Sequence, residues 1–185
     1  MNNAAVFFDR DDTLIKNIPY LGDPEQATLM PQARESLQLL HNNGFMLFII
    51  SNQSGVGRGY ITKAQVRAVN DKIIELLGKN FFTDIYTCYD DPDNPIEGCR
   101  KPLPGMLLRA EKAYHINLQN SYIVGDRLHD IEAGVNAGCK SILYVTKSHP
   151  EEKPEALAKV VFHSDDLLEI ARWICHQQNE KGFIS

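Results

Sequence analysis

The 185-residue chain reads as an α/β fold, a Rossmann-like parallel sheet with helices on both faces, formed as a single domain over residues 1–185. Three observations predict it. Short, wholly apolar runs recur along the chain, as expected of strands covered on both faces. Stretches of helical period, 8–16 residues long, separate these runs and imply right-handed βαβ units. The first run ends in a cluster of acids, on the edge where such sheets bind ligands.

Residues 4–8 are apolar and predict the first strand, with Asp9 straight after it. Pro31 opens a helix to about residue 43, with Leu37 and Leu40 on one face and Gly44 as its stop. Residues 46–50 predict the second strand, which runs into SNQSGVGRGYIT, a glycine-rich loop. Thr62 and Gln65 form a capping-box pattern, and a helix follows to about Leu77 with Gly78 behind it. Strands are expected at 84–88, 121–124 and 141–145, with a sixth at 160–162. Helices are expected from Pro104 to about residue 114, from Asp130 to about 137 and from Asp165 to about 176. Residues 146–159 and 178–185 are the segments expected to be mobile.

The chemistry starts at Asp9-Arg10-Asp11-Asp12. Asp9 and Asp11, two apart, share a side while the backbone stays extended. Close carboxylates repel and call for a cation or a shared proton, and Mg²⁺ suits oxygen ligands while leaving room for a phosphate. Taken alone, the pair is equally an exposed acidic turn. Asp12 reads as a solvated turn acid and Arg10 as a salt-bridge partner. A lone Ser51 is usually a strand-end serine, and Arg100-Lys101 alone is usually solvated surface.

Four segments in order change that reading. Asp9-Arg10-Asp11-x-Thr13, Ser51-Asn52-Gln53, Arg100-Lys101-Pro102-x-Pro104-Gly105 and Gly125-Asp126-x-x-x-Asp130 resemble the motifs of the haloacid-dehalogenase superfamily. Within it the chain is similar to the histidinol-phosphate and heptose-bisphosphate phosphatases, from about Val6 to Val145. The resemblance implies a phosphatase with Asp9 as nucleophile and Asp11 as general acid and base. It implies that Ser51 binds a phosphoryl oxygen and Lys101 neutralises charge. It also implies a Mg²⁺ held by Asp9, Asp126 and the backbone carbonyl of Asp11, with Asp130 orienting that shell. Asn52, Arg58, Arg100 and Arg127 are the candidate substrate-binding residues, Arg being suited to forked contacts with phosphate. His129 is expected to face solvent.

Many members of that subfamily carry a zinc loop with a Cys-x-His and a Cys-x-Cys. Here one cysteine remains of each pair, Cys88 and Cys99, with Asp90 and Glu97 at the other positions. This partial set is not expected to hold Zn²⁺, which takes four ligands in a closed site. The expectation is two reduced cysteines, with Cys139 and Cys175 in the core. A separate cap domain has no room between Asp11 and Ser51 or between Ser51 and Lys101, so the site is expected to be open. Tyr20, Leu21, Arg58 and Tyr60 sit in the loops that would fringe it.

Composition narrows the function further. A net charge of −5 argues against a dedicated nucleic-acid partner, although a local cationic cluster can still take a small anion. No basic, apolar leader opens the chain, and no stretch reaches the ~18 apolar residues of a membrane span. Without dense cysteine spacing, a reduced, cytoplasmic setting follows, and a monomer is expected. The expected substrate is a small phosphorylated sugar, a heptose 1,7-bisphosphate first. Histidinol phosphate, a nucleic-acid 3′-phosphate or a non-catalytic binding role are the alternatives.

Overall fold

The computed structural model describes residues 3–182. Its strands are β1 (Ala5–Phe8), β2 (Met46–Asn52), β3 (Asp84–Cys88), β4 (Tyr122–Gly125), β5 (Lys140–Tyr144) and β6 (Phe162–Ser164). They form one six-stranded sheet in the order β3-β2-β1-β4-β5-β6, and every pairing is parallel. The helices are α1 (Ala33–Asn42), α2 (Ser54–Gly57), α3 (Lys63–Leu77), α4 (Gly105–Tyr114), α5 (Leu128–Ala137), α6 (Lys153–Leu157) and α7 (Leu167–Gly182).

The sheet is buried on both faces because its side chains alternate between two cores. Val6, Phe8, Ile49 and Val124 pack with Leu37 and Leu40 of α1, Val69 and Ile73 of α3, and Ile170 and Ile174 of α7. Phe7, Phe48, Ile50 and Ile123 pack on the other side with Met106, Leu107 and Ala110 of α4 and Ala133 of α5. Phe7 stacks on Phe48 with ring centroids 5.1 Å apart. Gly134 lets α5 lie close to the sheet, since a Cβ there would collide with Ile123 and Ser141. The chain adds β2 and β3 on one side of β1, then returns to lay β4 on the other. That reversal opens a crevice beyond the β1 and β4 carboxyl ends, the usual ligand position in such sheets.

Most expected boundaries agree with the structure to within two residues. The capping box of α3 forms, with Gln65 N–H donating to Thr62 Oγ1 (3.2 Å) and Thr62 N–H to Gln65 Oε1 (2.8 Å). α1 starts at Ala33 rather than Pro31, because Gln32 takes the left-handed conformation (φ 60°). α5 starts two residues early, because Asp130 Oδ2 accepts from Arg127 N–H (3.1 Å) and makes Arg127 the cap. β6 lies at 162–164 instead of 160–162. α7 outruns its expected end and reaches Gly182, while residues 183–185 lie outside the described residues. The segment 146–159, expected as a mobile connection, carries a 3₁₀ turn, Pro150–Glu152, followed by α6. Ala156 anchors it, fully buried with Ile131 and Leu143. Among the described residues, no helix is long and apolar enough to cross a membrane.

Candidate active site

β1 delivers Asp9 into the crevice, where its N–H continues the ladder to Val124 O (2.9 Å). Lys101 reaches it from the loop before α4. The buried ammonium donates to Asp9 Oδ1 (2.5 Å) and Ile50 O (2.9 Å) and lies 2.7 Å from Asp130 Oδ1. Burial works against the charge on Lys101, but Asp130 and Asp9 outweigh it and hold the ammonium above its usual range. Burial, countered by Lys101 and reinforced by Asp130 and Asp11, lifts Asp9 to about 7.

Asp126, at the tip of β4, is buried with neither side-chain oxygen hydrogen-bonded. Burial raises it to about 8, and Asp9, Asp130 and Asp12 push the same way. One oxygen each from Asp9, Asp126 and Asp130 lies within 4.8 Å of the others. Two unpartnered buried oxygens amid like charges are the arrangement a hard divalent cation relieves, so the donor set fits Mg²⁺. Asp130 has a further task, since it pairs with Lys101 and caps α5. Lys101 and His129 hold Asp130 low although burial acts to raise it.

Asp11 is clamped. Arg10 donates to both its oxygens (3.2 and 3.1 Å) and Gln53 Nε2 to Oδ2 (2.8 Å). Arg10 is the salt-bridge partner expected, paired with Asp11 (3.1 Å), and a buried one, 1 % exposed and also bound to Asn70 Oδ1 (3.2 Å). Gln53 donates to Ser51 Oγ as well (2.8 Å); Ser51 is buried behind the cavity lining. Sequence reasoning gave Gln53 no role. The available signal was its place two residues beyond Ser51, hence on the same side of an extended chain. Asp12 is not a free turn acid either. At φ 56° it accepts from Asn17 N–H (3.2 Å) and Ser148 Oγ (2.8 Å).

The acids open into a cavity of about 500 Å³. Asn52, Arg100 and Arg127 line it, as do Tyr20 and Leu21. Asn52 bridges the backbone of Lys101, donating to its carbonyl (3.2 Å) and accepting from its N–H (3.0 Å), so it fixes the loop that carries Lys101. Arg100 has no ion pair among the described residues, and burial together with Arg58 and Arg127 lowers its pKa. Arg127 pairs with Glu152 and lies 2.9 Å from His149 Nε2. His129, expected in solvent, lines the cavity 3.3 Å from Asp130. Burial drops it to about 4, and its ring is neutral near pH 7.

Arg58 is not brought to the cavity. It pairs with Asp91 (3.2 Å) and Asp93 (2.9 Å) on the 89–99 loop, because those acids lie nearer than the crevice. Tyr60 stays outside the lining too and meets Tyr20 edge-on at 4.8 Å. The Tyr20 ring lies where a side chain at Gly55 would be, 2.7 Å from its Cβ position.

The cysteine expectation is overturned at one pair. Cys88 and Cys99, with Cα atoms 5.5 Å apart, form a disulfide. Asp90 organises the loop between them, accepting from the N–H groups of Ile96 (3.2 Å), Glu97 (2.9 Å) and Gly98 (2.8 Å). With the sulfurs joined and Asp90 engaged, the set as it stands offers no thiolate and does not fit Zn²⁺. The bond also removes the reduced-thiol argument for a cytoplasmic setting. Cys139 and Cys175 are free and buried, and burial pushes Cys139 up to about 12.

Residues 98–170 match the HAD-hydrolase-like family model. The chain is 32% identical over 179 residues to the D-glycero-beta-D-manno-heptose-1,7-bisphosphate 7-phosphatase of Escherichia coli K12, covering 88% of this chain and 91% of that one. It is 37% identical over 145 residues to the corresponding Mesorhizobium japonicum enzyme, where the alignment spans 72% of this chain and 65% of the relative. Among solved structures it resembles D,D-heptose 1,7-bisphosphate phosphatase from B. bronchiseptica, complexed with magnesium and phosphate. That match has a TM-score of 0.84 and 25% identity, and covers 94% of this chain and 99% of the other.

Proposed function

The chain belongs to the haloacid-dehalogenase-like hydrolases and is a phosphatase, and from that premise we propose that it removes the 7-phosphate of D-glycero-D-manno-heptose 1,7-bisphosphate. The reaction is magnesium-dependent and passes through an aspartyl-phosphate on Asp9. The supporting observation is the pairing of Asp9 with buried Lys101 beside the unpartnered oxygens of Asp126.

Lys101 favours the ionised form of Asp9 against its burial and aims it out of β1, so the carboxylate attacks phosphorus in line. Asp11, fixed by Arg10 and Gln53, protonates the leaving alkoxide and later takes a proton from the hydrolytic water. The Ser51 hydroxyl donates to a phosphoryl oxygen. Asp9, Asp126 and the Asp11 backbone carbonyl would hold Mg²⁺, which would supply charge neutralisation for the transferring group. Arg100, which has no ion pair among the described residues, and Arg127, held by Glu152, receive the second phosphate, with Asn52 fixing the loop that carries Arg100.

Phosphate release from the heptose bisphosphate, histidinol phosphate and a 3′-phosphorylated oligonucleotide tests the assignment. The heptose bisphosphate is expected to have the highest kcat/KM and to lose only its 7-phosphate. Asp9→Asn lowers turnover at least about 1000-fold, and chelating magnesium abolishes it. Preference for either other substrate overturns the substrate, and activity surviving in Asp9→Asn overturns the mechanism. No release from any phosphoester would leave a binding role.

A further inference from the structure

The segment before and into α6 grips the β4–α5 connection through His149, Glu152 and Lys153, and the loop after β1 through Ser148. Ser148 Oγ donates to Asp12 (2.8 Å), and His149 meets Arg127 (2.9 Å). Glu152 accepts from Arg127 Nε (2.9 Å) and Nη2, and also from the N–H of Leu128 (3.0 Å). Lys153 Nζ donates to the backbone carbonyl of Asp126 (2.5 Å).

This concentration of bonds has a local cause. The first N–H groups of a helix have no partner within it, and an arginine at the cap position has no oxygen to offer them. Glu152 supplies the missing acceptor from across the chain, and its charge favours the α5 N-terminus. The braced turn is only two residues long, yet it carries both the Asp126 carboxylate and the Arg127 guanidinium. Two prolines, Pro150 and Pro154, and the buried Ala156 stiffen the segment that does the bracing.

We propose that Glu152 and Lys153 are positioning residues for the phosphatase site. Lys153 fixes the Asp126 peptide so that its carboxylate faces the cation site. Glu152 holds the Arg127 guanidinium in the orientation that meets the substrate's second phosphate. Neither residue touches the reacting atoms. This inference rests on the phosphatase reading above.

The test measures Mg²⁺ binding by calorimetry on the full chain, beside steady-state kinetics on the heptose bisphosphate. Lys153→Met is expected to weaken Mg²⁺ binding about 10-fold, and Lys153→Arg to restore it. Glu152→Gln, which keeps an acceptor for Leu128 but loses the charge, is expected to raise KM about 10-fold with little change in kcat. A merely structural brace would lower the melting temperature in every variant and move neither quantity. Folded Lys153→Met and Glu152→Gln proteins with wild-type Mg²⁺ affinity and KM overturn the proposal. Should Lys153→Met not fold, Lys153→Gln takes its place with the same criteria. A wild-type chain that neither binds Mg²⁺ nor releases phosphate overturns the phosphatase reading, and this proposal with it.

Discussion

Asp11 is held from two sides before any substrate arrives, by Arg10 across both oxygens and by Gln53 across one. A group that must give and then take a proton works only in a narrow range of positions. Gln53 serves two masters, because the same Nε2 reaches Ser51 Oγ. Gln53→Leu is therefore expected to lower kcat about 10- to 100-fold, the kinetic equivalent of a hydrogen bond to a charged group. The expected circular dichroism is unchanged, and a kcat within twofold of wild type would show that Arg10 alone positions the acid. The motif acids were legible because Asp9, Asp11 and Asp126 follow directly on apolar strands. Gln53 was not, nor was the Asn70 partner of Arg10, since a partner's identity depends on which segments meet across the fold.

At the scale of elements, the loop between β3 and α4 departs furthest from expectation. Its closure rests on the Cys88–Cys99 bond and on three N–H groups converging on Asp90. Denatured but unreduced protein is expected to titrate two thiols, Cys139 and Cys175, and four after reduction. Closing this loop is worth roughly 3 kcal/mol, so the reduced protein melts at a lower temperature. Four thiols without reduction would mean that Asp90 closes the loop alone and would restore the reducing-compartment argument. The sequence displayed both cysteines but not their pairing, which needed β3 and the 99–101 segment side by side. α6 escaped notice for a similar reason. Its five residues are too few for a helical period, and its stability comes from contacts with α5.

For the molecule as a whole, the crowded acids make stability depend on pH and on metal. Without a cation, Asp126 titrates at about 8 and Asp9 at about 7 in the folded chain, against 3.8 unfolded. The folded state then holds protons that the unfolded chain releases, so stability falls as pH rises toward 8. His129 acts oppositely, titrating at about 4 against 6.5 unfolded, so it opposes the trend only below about 6.5. In chelator the melting temperature is expected to fall from pH 6.5 to 8, and Mg²⁺ is expected to stabilise most at the upper end. Asp126→Asn flattens the slope, and a melting temperature that rises over this window would contradict the raised carboxylates. The strands and longer helices in their chain order, the two cores and the acids at the strand tips were determined by sequence alone. Each depends on apolar period and on residues a few positions apart, and local chain geometry carries both. The grip of Glu152 on Arg127, of Arg10 on Asn70 and of Cys88 on Cys99 was decided only by tertiary structure. Those partners lie in segments that periodicity cannot bring together; the packing of the folded sheet and its helices does so.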